Sequence, residues 1–442
     1  MTMRRGALPQ RAAQAAVAGV VVLLGALGPV VLPPTAVADA PGPTVGALPD
    51  RIDTPVIGTL HATDRPRLGP AALLFSGQAD GLTGGDEDGV VGIVGADSDR
   101  YRTFEVGFEA PVGEQVVLSP DGRVIAYPFS SGERNCVQLV DLGDGERECL
   151  DSPHRWSALT VPLGWSTDGS RLVVREMVPV DPQRSAYETV LSIVEVGTRR
   201  TWRLASGTGV DGPLSHDGFT VAFAPDQRRV AYQMAGAVTV ADLDGQVLSS
   251  FAVAAGTTLA GKGAWTPDGS ALAVVEGVDG ARMLRYLDPA TGAPATGPVL
   301  PAVPGVTTIR LLGWRPSGGA MVVAYHPEPA MAASVDDATA YDNVRTVRVL
   351  ALDPAATAPV TLLTAPDQVL AIDVADDVVH GGRVRSADPP SGVGPWFWFW
   401  AGSAGVALLV LILVRVRPQP AHWSERRASR RAGTTPAPNP AG

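Results

Sequence analysis

The sequence predicts an all-β protein, a β-propeller of four-stranded blades, with one C-terminal transmembrane helix. A ten-residue pattern of strand, tight turn and strand recurs five times, its turn positions 42 to 58 residues apart. A further hairpin pattern follows the first, third and fourth copies, and four short strands at that period describe a propeller blade. The 50 glycines and 39 prolines, about a fifth of 442 residues, favour turns over long helices.

Taken in order, residues 1–38 read as a secretory signal peptide. Arg4, Arg5 and Arg11 form its basic region, Val17 to Leu32 its apolar stretch, and Ala36-Val37-Ala38 its cleavage pattern. An uncleaved N-terminal anchor is the alternative. Residues 39–51 are a proline-rich lead-in, and 52–381 form the propeller ectodomain. Within it, Gly69 to Phe75 resembles the second half of the repeat, with Val90 to Val94 and Tyr101 to Val106 as further strands.

The five copies are Leu118-Ser-Pro-Asp-Gly-Arg-Val-Ile-Ala-Tyr127, Trp165-Ser-Thr-Asp-Gly-Ser-Arg-Leu-Val-Val174, Phe223-Ala-Pro-Asp-Gln-Arg-Arg-Val-Ala-Tyr232, Trp265-Thr-Pro-Asp-Gly-Ser-Ala-Leu-Ala-Val274 and Trp314-Arg-Pro-Ser-Gly-Gly-Ala-Met-Val-Val323. Proline pre-sets φ in the turn and glycine tolerates positive φ. Ile125, Leu172, Val230, Leu272 and Met321 then recur at one offset as β-prone core residues. Residues 327–342 are a long insertion in the fifth copy. Val369 to His380 has a strand–turn–strand shape without a following pair, for which Thr54 to Leu60 is a candidate outer strand. Counting the two degenerate ends separately gives seven blades, the favoured number; one composite blade gives six.

Residues 382–395 read as a Gly/Pro/Ser stalk. Trp396 to Val414 is a 19-residue run without a charge, long enough to cross a bilayer as a helix. Its Trp396-Phe-Trp-Phe-Trp400 end suits the interface, and the arginines of tail 415–442 place that tail in the cytoplasm by the positive-inside rule. Residues 1–38 carry +3 and 396–442 carry +5 of the net −10, which leaves −18 on residues 39–395. So acidic an outer domain argues against nucleic acid as a partner and favours a basic one.

The aromatic–Ser–Pro–Asp–Gly–x–x–Leu–Ala–Val pattern resembles the WD40-like repeat of the TolB-type β-propeller, well matched over 118–323. The departures are Thr167 for proline, Gln227 for glycine and Ser317 for aspartate. The resemblance implies blade geometry and says little about ligand. A single lysine, Lys262, and the Ala/Gly/Pro/Val bias resemble proteins of GC-rich genomes such as those of actinobacteria.

Candidate site residues are few. Cys136 and Cys149 flank the turn signal Gly143-Asp144-Gly145, and in an exported domain so close a pair is a disulfide candidate, with two free thiols the alternative. Asp80, Asp86, Glu87 and Asp88 form a dense acidic loop, a weak calcium candidate that lacks the calcium-loop spacing and reads first as solvated. Gly164-Trp-Ser166-Thr-Asp168 lacks the second glycine of a nucleophile elbow and reads as a turn. The histidines (61, 154, 216, 326, 380, 422) make no metal-binding spacing. Asp121, Asp168, Asp226 and Asp268 read as turn-formers, and Trp165, Trp265 and Trp314 as blade core. No catalytic set and no cofactor are expected. The reading is a membrane-anchored extracytoplasmic scaffold that binds a protein, peptide or envelope glycan. The alternatives are a lyase or glycan-cleaving enzyme with its site in the central funnel, and a sensor that signals through a separate partner.

Overall fold

The computed structural model describes residues 46–415, apart from 57, 78–88, 107–110, 132–133, 153, 155–156, 181–185, 209–219, 328–343, 368 and 390–394. The signal peptide, the acidic loop 80–88, residues 328–342 of the insertion and residues 416–442 of the basic tail lie outside the described residues.

Six four-stranded antiparallel sheets form the blades. Blade 2 holds Val117–Leu118, Val124–Ser131, Arg134–Asp141 and Arg147–Asp151. Blade 3 holds Leu159–Trp165, Arg171–Pro179, Tyr187–Glu195 and Thr201–Thr208. Blade 4 holds Val221–Phe223, Arg229–Met234, Ala237–Asp242 and Val247–Ala252. Blade 5 holds Thr258–Leu259, Leu272–Val278, Ala281–Leu287 and Val303–Pro304. Blade 6 holds Thr308–Trp314, Ala320–Pro327, Val344–Leu352 and Val360–Thr364. Blade 1 joins Val369–Val374 to Ala71–Gly77, Val90–Gly95 and Tyr101–Glu105. Contacts run from each blade to the next and return from blade 6 to blade 1, so the ring is closed.

The count among the described residues is six, the lower of the two sequence counts. The two degenerate ends are one blade: Leu73 pairs with Val374 and Phe75 with Ile372. The repeat is cut here between its halves, the first strand arriving from the C-terminal side and the second from the N-terminal side. Closure in this way removes the free edge that a ring broken at one blade would expose. Two expectations fail at this seam. Thr54 to Leu60 supplies no strand among its described residues. The second half of Val369–His380 is a helix, α1 (Asp376–Gly381), rather than a strand. Asp376 and Asp377 occupy its first turn, where acidic groups suit the helix dipole.

The described parts of the lead-in and the stalk, residues 46–51 and 382–389, pair with each other. Leu48–Pro49 pairs in parallel with Val384–Arg385. Arg51 Nε donates to the Ala387 carbonyl at 2.7 Å.

Inside the blades the repeat does what its residues dictate. Ile125, Leu172, Val230, Leu272 and Met321 are all 0% exposed. At the turns, the Ser119, Ser166 and Thr266 hydroxyls donate to Asp121, Asp168 and Asp268 at 2.6–2.7 Å. Each aspartate accepts the N–H two residues on. Blade 4 has Ala224 in place of the hydroxyl, and Arg229 Nε donates to Asp226 at 2.8 Å instead. There Gln227 takes the glycine position with φ 55°. In blade 6, Ser317 donates outward to Asp353 at 3.0 Å. The substituted turns therefore keep their shape by other partners.

The tryptophans join blades as well as fill them. Trp265 Nε1 donates to Ala222 O of blade 4 at 3.0 Å, and Trp314 Nε1 donates to Trp265 O at 2.7 Å. Trp165 Nε1 reaches Val117 O of blade 2 at 3.4 Å. A buried indole N–H needs an acceptor, and here the preceding blade supplies it.

Helix α2 (Pro395–Arg415) is long and apolar enough to cross a membrane.

Candidate functional site

The first strands of the blades, and the segments that lead into them, line the central channel. Its cavity is about 50 Å³, bounded by Glu114, Gln115, Arg175, Lys262 and Arg310 among others. The chain's only lysine is thus at the axis. Lys262 Nζ lies 3.0 Å from Asp373 and 2.8 Å from Asp376, and donates to the Val374 carbonyl at 2.5 Å. Burial pushes the Lys262 pKa down, but the two carboxylates more than reverse this and hold it above its ordinary value. Asp373 is 1% exposed and also accepts the Leu118 N–H at 3.1 Å. Arg310 Nη2 donates to the Ile372 carbonyl and lies 3.9 Å from Asp373. Blades 1, 2, 5 and 6 are therefore tied together through one buried carboxylate.

Arg175 approaches from the second strand of blade 3. Its burial pushes the guanidinium down to about 10, opposed by the charge of Glu114. Gln115 is 1% exposed, and neither polar atom of its amide has a hydrogen-bond partner. Gln115 and Lys262 carry no motif. Their meeting depends on the radius of the ring, which the sequence does not encode locally.

A second concavity, of about 680 Å³, lies where the turns of blades 2 and 3 meet. Its lining includes Asp121 and Asp168 from the repeat turns, Asp141, Asp144, Glu146 and Glu148 from the outer hairpin of blade 2, and Asp377 from α1. Arg147 is its one basic residue, and Trp165 contributes apolar surface. Burial, with the charges of Asp121 and Asp376, holds the Asp377 carboxyl above its ordinary value. The turn-forming aspartates are thus also part of a cleft, which their role in the repeat did not suggest. The dense acidic stretch outside the repeat, residues 141–148, was the available signal.

The remaining sequence candidates fall elsewhere. Cys136 and Cys149 are disulfide-bonded across the outer hairpin of blade 2, with Cα atoms 5.8 Å apart. Ser166 donates to Asp168 and accepts the Arg171 N–H at 2.9 Å, so its hydroxyl is spent in the turn. Asp80, Asp86, Glu87 and Asp88 lie outside the described residues. His154 Nδ1 bonds the buried Glu176 at 2.8 Å, and His61 Nδ1 bonds Thr63 at 2.9 Å. Among the described residues no three His, Cys, Asp or Glu side chains converge to hold a metal ion.

No family model and no characterised protein sequence matches the chain. Similar solved structures include TolB from Acinetobacter baumannii, with 17% identity, 70% of this chain and 66% of that one covered, and a TM-score of 0.43. An oligogalacturonate lyase from Vibrio parahaemolyticus is similar at 16% identity, with 71% and 78% covered and a TM-score of 0.39. A TolB protein from Agrobacterium tumefaciens is similar at 13% identity, with 69% and 98% covered and a TM-score of 0.38. The chain is a β-propeller by its own closed ring of six four-stranded sheets.

Proposed function

We propose that the chain is a non-catalytic binding propeller, anchored by α2 with its ring outside the membrane, that holds a basic protein or peptide segment in the cleft between blades 2 and 3. The observation that carries this reading is the cleft itself: about 680 Å³ with seven carboxylates against one arginine. Crowded carboxylates repel, and a Lys- or Arg-rich segment relieves that repulsion while speeding encounter. The net charge of −18 on residues 39–395 has the same sign. The channel cavity, about 50 Å³, is far below the roughly 300–1,000 Å³ of an ordinary small-molecule pocket. That difference favours the cleft over the funnel as the place for a macromolecular partner, and so favours binding over funnel catalysis.

The test is affinity capture from envelope extract with the detergent-solubilised full chain. The comparison is a Glu146→Gln/Glu148→Gln/Asp377→Asn variant, which leaves the repeat turns intact. The parent should recover a basic partner, and salt and the variant should both release it. Equal recovery by the variant refutes the cleft. Recovery of nothing, together with turnover on a glycan panel, refutes the binding role. Protease shaving of intact cells tests orientation, since a ring that stays protected has been placed on the wrong side.

A further inference from the structure

We propose that the central channel is a binding site for one small oxyanion that carries its own O–H donor, the chemistry shared by hydrogen phosphate and a short 2-hydroxycarboxylate. The first observation is the amide of Gln115. It lines the cavity, it is 1% exposed, and both its nitrogen and its oxygen lack partners. Leaving a buried amide unmet is costly, and native structures rarely do so without water or a ligand. The nitrogen calls for an acceptor and the oxygen for a donor. A bare anion meets only the first, and an oxyanion with a hydroxyl meets both.

The second observation is charge. Three cationic side chains, Arg175, Lys262 and Arg310, border the same cavity, with Glu114 the one carboxylate in its lining. Lys262 is engaged by Asp373 and Asp376 from outside the lining. Arg175, 4% exposed, has Glu114 as the opposing charge that acts on it. A buried guanidinium is stabilised by a further oxyanion, which Arg matches with its fork of donors. Thr220, Thr258 and Thr308 add hydroxyl-bearing side chains to the lining.

The third observation is size. About 50 Å³ exceeds the roughly 10–15 Å³ that one water requires, and suits an anion of a few heavy atoms rather than a sugar or a peptide. Gly113 fits this design. Its φ is +84°, and a Cβ there would strike the Arg310 guanidinium. The glycine makes room for the Arg310 guanidinium beside the loop that carries Glu114 and Gln115.

This inference is independent of the cleft, since it uses none of the cleft's residues. The experiment is calorimetric titration of the full chain in detergent with inorganic phosphate and, separately, with lactate, at constant ionic strength against chloride. At least one should bind at a single site, and the two arms distinguish phosphate from carboxylate. Gln115→Leu, which removes both polar atoms, should weaken binding by tenfold or more. Gln115→Glu keeps the shape, adds a like charge and should abolish binding. Arg285→Gln, on the outer part of blade 5, should leave affinity unchanged. A folded Gln115→Glu protein that binds as tightly as the parent overturns the assignment. So does the absence of binding in both arms, which makes the cavity a water site.

Discussion

Replacing Lys262 by methionine removes the one cation that touches both Asp373 and Asp376. Asp373 is 1% exposed, and the substitution leaves it in a low-dielectric site with Arg310, 3.9 Å away, and the Leu118 N–H, at 3.1 Å, as its partners. Breaking a buried pair by removing one partner costs about 3–5 kcal/mol. For a ring of roughly 340 residues, a melting entropy of about 2.1 cal/mol/K per residue gives about 0.7 kcal/mol/K, and hence a fall in Tm of about 4–7 °C. The sign with pH follows from the raised pKa of Lys262. Its contribution is complete below the unfolded value, about 10.4, and disappears as pH rises through the higher folded value. The stability gap between parent and variant should therefore narrow above pH of about 10.4. The assay has an internal probe. Lys262 is the only lysine, so an amine-reactive reagent reports its protection against no background but the N-terminus. Labelling should be slow in the native parent and faster in Asp373→Asn. A Lys262→Met protein that melts within about 1 °C of the parent, with native Lys262 labelled as fast as in an unfolded peptide, refutes the reasoning.

Three further outcomes are expected. Trp265→Phe keeps one aromatic ring but loses the pyrrole half of the indole and its N–H bond to Ala222; the bond alone is worth about 0.5–1.5 kcal/mol in denaturant melts, and Trp265→Ala should cost about 3–5 kcal/mol. Replacing Cys136 and Cys149 by serine opens a loop of sequence separation 13 and should cost about 3 kcal/mol in the chain-entropy model, with parent and variant melting alike under strong reductant. The Thr266 hydroxyl and the Ser270 N–H hold Asp268 down to about 2. Its contribution is present above the unfolded value, about 3.9, and is lost as pH falls toward 2. Solvent screening at this exposed turn limits it to about 0.5 kcal/mol or less, so Asp268→Asn should change acid unfolding only slightly.

What was legible in the sequence was whatever a short window encodes. A Ser-Pro-Asp-Gly turn and an apolar offset recur because each blade solves one local problem, and Ile125 through Met321 are buried where that offset puts them. The charge imbalance was legible because charge sums without regard to fold. The channel was not. Glu114, Arg175, Lys262, Arg310 and Asp373 come from five different blades or the segments that enter them. Only the closed ring brings them together. The preference for seven blades over six arose for the same reason. The half-repeats at Gly69–Phe75 and Val369–Val374 are nearly 300 residues apart, and a window long enough to see either cannot see both.

The seam that joins those halves has its own prediction. Blade 1 keeps its first strand only while the chain's C-terminal side stays docked, and Arg385 is the clamp. Its guanidinium pairs with Asp99, and Nη2 donates to the Ser98 carbonyl at 2.9 Å. Asp99 also accepts the Asp388 N–H at 2.8 Å. Partial burial pushes the Asp99 carboxyl upward, but the Asp388 N–H and Arg385 outweigh it and hold the group below its ordinary value. The clamp is thus fully formed above pH of about 3.9 and weakens as pH falls through the lower folded value. A charge-assisted cluster of this kind, only partly exposed, is worth about 1.5–3 kcal/mol. Its loss should appear as local opening before global melting. In Arg385→Ala, hydrogen exchange should quicken in Val369–Val374 and in the paired Ala71–Gly77, while blades 3 and 4 keep their protection. If exchange rises uniformly around the ring, the clamp contributes only to global stability, and the seam is no weaker than any other joint between blades.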